Sequence, residues 1–551
     1  MAWAALAPEL ILSAASLILL VVVTATRRPA PAAATPAALP AASGPRASAR
    51  PGAAASIGGP TPAGPAAPGA AAAGGVETVW GGATAAIFAV ALLALLPGLG
   101  TGVDLWSAML SLDPFAALFR GMFLAAGLLV ALVSIDFLRQ RAPARGEYWP
   151  LLLWGVLGMM LMASSRDLLM IYLGLELVSL CSYVLAGYLK EDARSVEAAI
   201  KYFLAGAVAS AVILFGISLL YGAAGSTSLD AIAQAASASV LGFAALAFLV
   251  VGFGFKVAAA PLHMWAPDAY EGAPTPITAF FSVGPKAAAF AALLRVFFAG
   301  LGDLRPAWTP AFAVLAVLSM FVGNLSALPQ KNIKRMMAYS AIAHAGYILV
   351  GLAVGTPMGS RAVAYYLLAY LFANLGAFAV IVAVSARGEQ IEDYTGLARR
   401  QPLLAWAMVI YFLSLIGIPP TAGFFGKFYL FSAALEQGQV WLALVIVVNS
   451  VISVGYYYGV VRQMFLVGEA PDASTEATVQ QPHLPEPAPA GSSPAPPAAG
   501  TSLTGGRPAA GDRVCPAVVA VVVVTAILTI VIGVGFEYFL GWATAATAIL
   551  P

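Results

Sequence analysis

Long apolar runs separated by short polar segments extend along most of the 551-residue chain. A helix needs about 20 apolar residues to cross the hydrocarbon core of a membrane. The pattern therefore predicts an all-α, polytopic membrane protein with about fourteen spanning helices. We place these helices near residues 3–26, 79–99, 113–138, 148–164, 167–189, 195–222, 240–262, 274–300, 307–328, 335–355, 361–386, 402–436 (broken), 440–466 and 514–545.

Two stretches interrupt this pattern, at residues 29–75 and 470–513. They are rich in Ala, Pro and Gly and hold half of the 38 prolines of the chain. Such a composition cannot build a packed core, so we expect disordered linkers. The predicted organisation is helix 1 (residues 1–28), helices 2–3 (76–145), helices 4–8 (146–300), helices 9–13 (301–469) and helix 14 (514–551).

Charged residues make up only 9% of the chain and apolar residues 61%, which excludes a soluble globular protein, in which about 25% are charged. If the N-terminus is outside, the inner connections carry 18 of the 27 Lys and Arg residues and the outer ones carry 3. Basic residues concentrate in cytoplasmic loops. We therefore predict both termini outside and both linkers inside.

The chain offers few groups for a redox cofactor or a metal. Its two cysteines, Cys181 and Cys515, lie in separate apolar runs. The absence of a CxxC motif excludes cysteine-held iron–sulfur clusters and cysteine-based zinc sites. The three histidines lie far apart, and no GxGxxG motif follows a strand. We expect no cofactor on this chain.

Ionisable residues inside the predicted spans are the strongest candidates for function, because each costs about 2.5–3.5 kcal/mol at mid-membrane. Arg120 and Arg295 lie near predicted span ends, so we interpret them as snorkelling toward the headgroups. Glu176 has long apolar sequence on both sides and cannot snorkel. The alternative to function is a structural ion pair between helices. The full set is Arg120, Glu176, Lys201, Lys256, Lys286, Arg295 and Lys427.

Two of these spans are interrupted by Gly and Pro beside a lysine. Lys256 follows two glycines and precedes Pro261, and Lys427 follows Pro419, Pro420 and two glycines. Proline removes a helical hydrogen bond and clashes with the preceding turn. A pair of interrupted spans in corresponding halves is the best sequence indication of an ion path. Either break alone would fit a packing kink, but two breaks with a lysine each favour function.

Four more residues are candidates with open alternatives. Lys286 follows a Gly-Pro pair one span after Lys256, and His263 and His344 could relay protons or serve as a helix cap and a core histidine. Lys201 follows Glu197 at i,i+4, which places both on one helix face, and it could also snorkel.

Burial disfavours the charged form of a lysine, and a nearby carboxylate favours it again. A row of lysines balanced between these effects can pass protons. Glu176 is the expected charge partner of Lys256. If the two separate, Lys256 tends to release its proton toward His263 or Lys286.

The sequence resembles the antiporter-like subunits of the proton-pumping NADH:quinone oxidoreductases (respiratory complex I). Among these it is most similar to the subunit N family, which includes mitochondrial NADH dehydrogenase subunit 2. The matching motifs, within about residues 150–466, are IYLGLELVSLCSYVLAGY, SVEAAIKYFLAGAVASAV, FKVAAAPLHMWAPDAYEGAPTPITAFFSVGPKAA, KNIKRMMAYSAIAHAGYILVG and GIPPTAGFFGKFYLF.

The resemblance implies fourteen helices, in which helices 4–8 and 9–13 form two inverted repeats with helices 7 and 12 broken. It matches Glu176, Lys256, Lys286 and Lys427 to the proton-path residues of the family, and His263 to the histidine after the first break. Lys201 has weaker support. The resemblance also implies that NADH, FMN, iron–sulfur clusters and quinone belong to other parts of the complex, and that the partners are its other membrane subunits.

Two alternative functions remain open. One is a subunit of a Mrp-type sodium/proton antiporter or a membrane-bound hydrogenase, which shares the lysines and the broken helices. The other is a scaffold that moves no ion, although several buried charges are costly for a scaffold. Genes for the other complex I subunits beside this gene would favour the first assignment over an antiporter operon.

Overall fold

The computed structural model describes residues 5–26, 70–98, 102–106, 108–141, 146–236, 239–385, 388–465 and 514–550. The second predicted linker, 470–513, lies outside the described residues, as does most of the first. The helix that follows the first linker begins at Ala70, inside the stretch predicted as linker.

The described chain is almost entirely helical. A two-stranded antiparallel hairpin, β1 (Val103–Leu105) and β2 (Leu110–Leu112), pairs Val103 with Leu112. The helices are α1 (Ala7–Thr26), α2 (Ala70–Leu95), α3 (Pro114–Arg141), α4 (Tyr148–Ser164), α5 (Leu168–Ala186), α6 (Ala193–Ala224), α7 (Leu229–Ala235), α8 (Val240–Lys256), α9 (Trp265–Gly272), α10 (Thr275–Leu294), α11 (Arg305–Ala327), α12 (Ile333–Val354), α13 (Pro357–Val384), α14 (Leu397–Arg400), α15 (Pro402–Ile416), α16 (Ala422–Glu436), α17 (Val440–Phe465), α18 (Pro516–Val534) and α19 (Phe536–Thr547).

Eleven helical segments within the described residues are long and apolar enough to cross a membrane, and α4, α8 and α15 are shorter apolar helices. This bears out the prediction of an all-α polytopic membrane protein. The number of fourteen spans stays a prediction.

The centre of the molecule is built from α10, α12 and α13, whose side chains are buried on nearly all sides. Helices that are apolar all round belong in such a position. Close packing depends on small residues, as is usual between membrane helices. A Cβ on Gly346 of α12 would lie 2.7 Å from the Met320 nitrogen of α11, and a Cβ on Gly174 of α5 would lie 2.8 Å from the Gly158 carbonyl of α4.

The predicted snorkelling of Arg120 and Arg295 is wrong. Arg120 is buried and pairs with Glu9 of α1 at 2.5 Å. Arg295 is also buried and pairs with Asp113 at 2.9 Å, and its Nε donates to the Ala163 carbonyl. Both partners are remote in sequence, so spacing along the chain gave no sign of them. Pairing compensates the burial of these charges and ties distant helices together.

Candidate functional site

The first interruption lies between α8 and α9. Helix α8 ends at Lys256, and Ala258 then takes a left-handed conformation with φ 58°. The hydroxyl of Ser319, on α11, accepts a hydrogen bond from the Ala260 nitrogen at 2.8 Å. The indole nitrogen of Trp265 donates to the Phe255 carbonyl at 3.2 Å. These contacts hold the non-helical segment that follows Lys256.

The Lys256 ammonium lies among hydroxyl groups close to a carboxylate. Its Nζ donates to the hydroxyls of Ser179 and Ser210 at 2.9 and 3.1 Å. Glu176 is close enough to act on Lys256 electrostatically. No ion pair within 4.0 Å joins the two among the described residues, and Oε1 of Glu176 is buried there without a hydrogen-bond partner. The expected partners are therefore neighbours but do not form a direct ion pair.

The second interruption lies between α15 and α16. Helix α15 ends at Ile416, and Gly417 follows with φ 92°, a conformation that suits glycine. Lys427, on α16, donates to the Ile416 carbonyl at 2.9 Å and to the Ser450 hydroxyl at 3.2 Å. Its Nζ also lies 4.2 Å from the centre of the Tyr347 ring, which favours a cation.

The two interruptions place their lysines differently relative to the half-helix that precedes each break. Lys256 is itself the last residue of α8, and Lys427 reaches back to the last carbonyl of α15. The C-terminal end of a helix carries free carbonyl groups and a partial negative charge. The Lys427 ammonium is thus held at the negative end of α15, whereas the Lys256 ammonium donates to serine hydroxyls of α5 and α6.

Helix α12 connects Lys286 to Lys427. The Lys286 ammonium donates to the Ala341 carbonyl at 2.6 Å. His344 and Tyr347 follow at spacings of one turn, and the ring of Tyr347 meets Lys427. His344 is buried and lies within electrostatic reach of both lysines. One face of α12 therefore presents a polar series between the two lysines.

Tyrosines from neighbouring helices complete this series. His344 Nδ1 lies 2.7 Å from the Tyr366 hydroxyl, and Nε2 lies 3.3 Å from the Tyr457 hydroxyl. Tyr457 also hydrogen-bonds Ser340 at 2.5 Å. Hydroxyl groups both donate and accept, so they can pass a proton as well as fix the imidazole.

Aromatic side chains pack in a row from the segment after Lys256 to α10, the helix that carries Lys286. Trp265 stacks on Tyr202 with ring centres 4.4 Å apart, and Tyr202 contacts Phe281 of α10 at 5.4 Å. Among the described residues, no hydrogen bond joins Lys256 directly to Lys286. His263 is buried in the segment between α8 and α9.

Lys201 lies apart from the other lysines, in a chain of ion pairs. Its ammonium pairs with Glu197 at 2.7 Å, which confirms the predicted i,i+4 pair, and with Asp268 of α9 at 2.6 Å. Arg335 of α12 continues the chain to Asp268 and Glu271. These contacts tie α6 and α12 to the short helix after the first break.

Hydroxyl-bearing residues are the part of the site that sequence reasoning missed. Ser179 lies one turn after Glu176 and Ser450 lies in α17, but serine is common in membrane helices and marks no function alone. The tyrosines around His344 come from three helices. Only Tyr347 lies on the same helix as His344, so only its spacing to His344 could be read from the sequence. The missed residues are Ser179, Ser210, Tyr347, Tyr366, Ser450 and Tyr457.

A model of the NADH:quinone oxidoreductase/Mrp antiporter transmembrane family matches residues 165–453. A similar protein is NADH-quinone oxidoreductase subunit N 2 of Symbiobacterium thermophilum, 51% identical over 417 residues that cover 70% of this chain and 82% of the relative. Another is NADH-quinone oxidoreductase subunit N of Trichlorobacter lovleyi, 48% identical over 380 residues that cover 68% and 78%.

Solved structures agree with this relationship. A chain of respiratory complex I from Thermus thermophilus is 34% identical with a TM-score of 0.68, over 86% of this chain and 98% of that one. A chain of the Mrp complex from Dietzia is 24% identical with a TM-score of 0.71, over 87% and 93%, which shows a shared fold. The chain belongs to the NADH:quinone oxidoreductase/Mrp antiporter transmembrane family, on the branch of the subunit N relatives.

Proposed function

We propose that the chain is the proton-translocating subunit N of a bacterial NADH:quinone oxidoreductase, with Glu176, Lys256, Lys286 and Lys427 as its proton-path residues. His344 and His263 relay protons beside the lysines, and Lys201 has a supporting role. As a subunit of this translocase, the chain carries no redox centre, and other subunits bind NADH, FMN, iron–sulfur clusters and quinone. It assembles with the other membrane subunits in the inner membrane, with both termini outside.

The observation that carries the proposal is a contrast between two kinds of buried cation. Arg120 and Arg295 each form a direct ion pair with a carboxylate. Among the described residues, Lys256, Lys286 and Lys427 have no carboxylate within 4.0 Å and bind only neutral oxygens. Structural charges are expected to be paired, because an unpaired buried charge is costly. Lysines held by neutral groups can lose their protons without breaking a direct ion pair.

The proton moves by exchange between neighbouring groups. When Glu176 is close to Lys256, the ammonium is favoured. When the carboxylate is neutralised or moves away, Lys256 tends to release a proton and becomes a neutral amine. A neutral Lys286 takes up a proton, and His344 with its tyrosines connects it to Lys427. Each donor is left ready to accept the next proton, and the titrations of the row are coupled.

Two competing functions are less well supported. The similarity to the Mrp complex chain extends only to the fold, whereas relatives at 51% and 48% identity are named as subunit N. A scaffold without ion movement would have no need for unpaired lysines at two helix breaks.

The test replaces Lys256 and Lys427 separately by alanine in the whole complex, reconstituted in sealed vesicles. Lys190→Ala is the matched control, because Lys190 is exposed on a connection. We expect normal subunit content and proton translocation lowered by about 100-fold or more for both variants, the scale of losing a proton-transfer group. Undiminished translocation would exclude the proposed path. Loss of assembly with normal pumping by the residual complex would support a scaffold.

A further inference from the structure

The C-terminal helices contact the second break directly. Gly533, in the last turn of α18, lies directly against the segment between α15 and α16. A Cβ built on Gly533 would collide with the Pro420 carbonyl and lie 2.6 Å from the Ala422 nitrogen, at the first residue of α16. These are backbone atoms, so no side chain can rotate to make room.

A second set of contacts lies on α16 itself. Phe536, the first residue of α19, stacks on Phe425 with ring centres 4.2 Å apart and planes 9° from parallel, and it also contacts Tyr429. Phe425 and Tyr429 are four residues apart and share one face of α16. Lys427 lies between them in sequence and therefore on the opposite face. The C-terminal helices thus pack against the face of α16 that is opposite Lys427.

The end of α18 is itself held by the second half of the molecule. The Tyr365 hydroxyl of α13 donates to the Ile532 carbonyl at 3.0 Å, next to Gly533. Further along α18, the Tyr411 hydroxyl of α15 donates to the Val522 carbonyl at 2.5 Å. Helix α18 is thus fixed to α13 and α15 while it contacts the break between α15 and α16.

Among the described residues, no hydrogen bond or ring contact joins the C-terminal helices to the segment between α8 and α9. This segment is held through Ser319 of α11 and Trp265, both within residues 240–327. The geometry of the second break therefore depends on α18.

We propose that Gly533 and Phe536 are positioning residues for Lys427, through which the C-terminal helices keep the Ile416 carbonyl within reach of the lysine ammonium. This inference rests on the proposed function of Lys427. The hydrogen bond between Lys427 and Ile416 spans the break, so a displacement of Pro420 or Ala422 changes its length directly. Misplacement of a reacting group by about 1 Å can lower a rate by about 100-fold.

The experiment compares four variants in whole reconstituted complex: Gly533→Ala, Phe536→Leu, Phe536→Tyr and Gly541→Ala. Gly541 is the matched control, because it lies in α19 and a Cβ there meets no described atom within 4 Å. We expect Gly533→Ala to lower proton translocation by up to about 100-fold at normal subunit content. Phe536→Leu should have a smaller effect, and Phe536→Tyr, which keeps the stacked ring, should restore translocation. Gly541→Ala should leave it unchanged.

Normal translocation by Gly533→Ala and Phe536→Leu at normal subunit content would overturn the inference. If Gly533→Ala prevents assembly, the comparison of Phe536→Leu with Phe536→Tyr decides: equal translocation by these two contradicts a positioning role. Lys427→Ala measured in parallel separates the two proposals. If Lys427→Ala pumps normally, the proposed function fails. If it does not pump while the Gly533 and Phe536 variants do, only the positioning role fails.

Discussion

The two breaks hold their lysines in different ways. Lys256 depends on two serine hydroxyls and lies near the carboxylate of Glu176. Lys427 is held by a backbone carbonyl across the break, one serine and the face of a tyrosine. A backbone carbonyl and an aromatic ring carry no net charge, whereas a carboxylate can carry one. The first site can therefore respond to a change of charge, and the second responds mainly to the geometry of its break.

The two breaks also differ in the residue that takes a left-handed conformation after the half-helix. Ala258 takes φ 58° after α8, and Gly417 takes φ 92° after α15. A left-handed conformation costs a residue with a Cβ about 1–2 kcal/mol, and glycine avoids this cost. The first break therefore carries backbone strain that the second does not. Such strain persists only where surrounding contacts impose it, and it is common at functional sites.

The largest expected effect is on proton translocation, when the serine hydroxyls that bind Lys256 are removed and compared with the one that binds Lys427. The double variant Ser179→Ala, Ser210→Ala removes both hydrogen bonds of Lys256, each worth about 1.5–3 kcal/mol to a charged group. We expect translocation to fall by about 100-fold. Ser450→Ala leaves Lys427 with its carbonyl and its ring, so the loss should be smaller, about tenfold, which is the lower end of the range for one such hydrogen bond. Reconstituted complex measures both, and an equal loss in the two variants would contradict the difference between the sites.

The second effect concerns Gly417. In Gly417→Ala, the new Cβ would lie 3.0 Å from Cδ of Lys427, and the left-handed backbone would cost about 1–2 kcal/mol. We expect lower proton translocation and lower thermal stability of the complex. Gly438→Ala is a suitable control. Its φ is 70° but a Cβ there has open space, so it should lower stability without affecting translocation.

Sequence reasoning recovered the fold class, the family and the i,i+4 pair of Lys201 with Glu197. Apolar runs and helix spacing are local signals, so they can be read along the chain. The snorkelling of Arg120 and Arg295 was predicted wrongly because their partners, Glu9 and Asp113, are far away in sequence.

The environment of the lysines was not predictable for the same reason. The Ile416 carbonyl that holds Lys427 depends on how the break folds, and backbone groups leave no trace in the sequence. The support that α18 gives to the second break depends on packing between distant helices, and its sequence sign is a single glycine.

The smallest expected effect is a gain in folding stability from a substitution at the first break. Ala258→Gly removes the cost of a left-handed alanine, so it should stabilise the folded chain by up to about 1 kcal/mol, reduced by the greater freedom of glycine in the unfolded state. Thermal unfolding of the purified complex measures this change. A clear loss of stability would mean that the alanine methyl makes contacts that outweigh the strain. Gly417→Ala should have the opposite sign, which makes the pair a direct comparison of the two breaks.

In the proposed function, Lys256 gives up and regains a proton, rather than only supplying a fixed charge. The most direct measurement is proton translocation by assembled complex that carries Lys256→Arg. Arginine keeps the positive charge and can bind hydroxyl oxygens, but it does not release its proton in proteins. We predict normal subunit content and translocation as low as in Lys256→Ala. Translocation at the unsubstituted rate would show that a fixed charge is sufficient and that Lys256 does not need to release its proton.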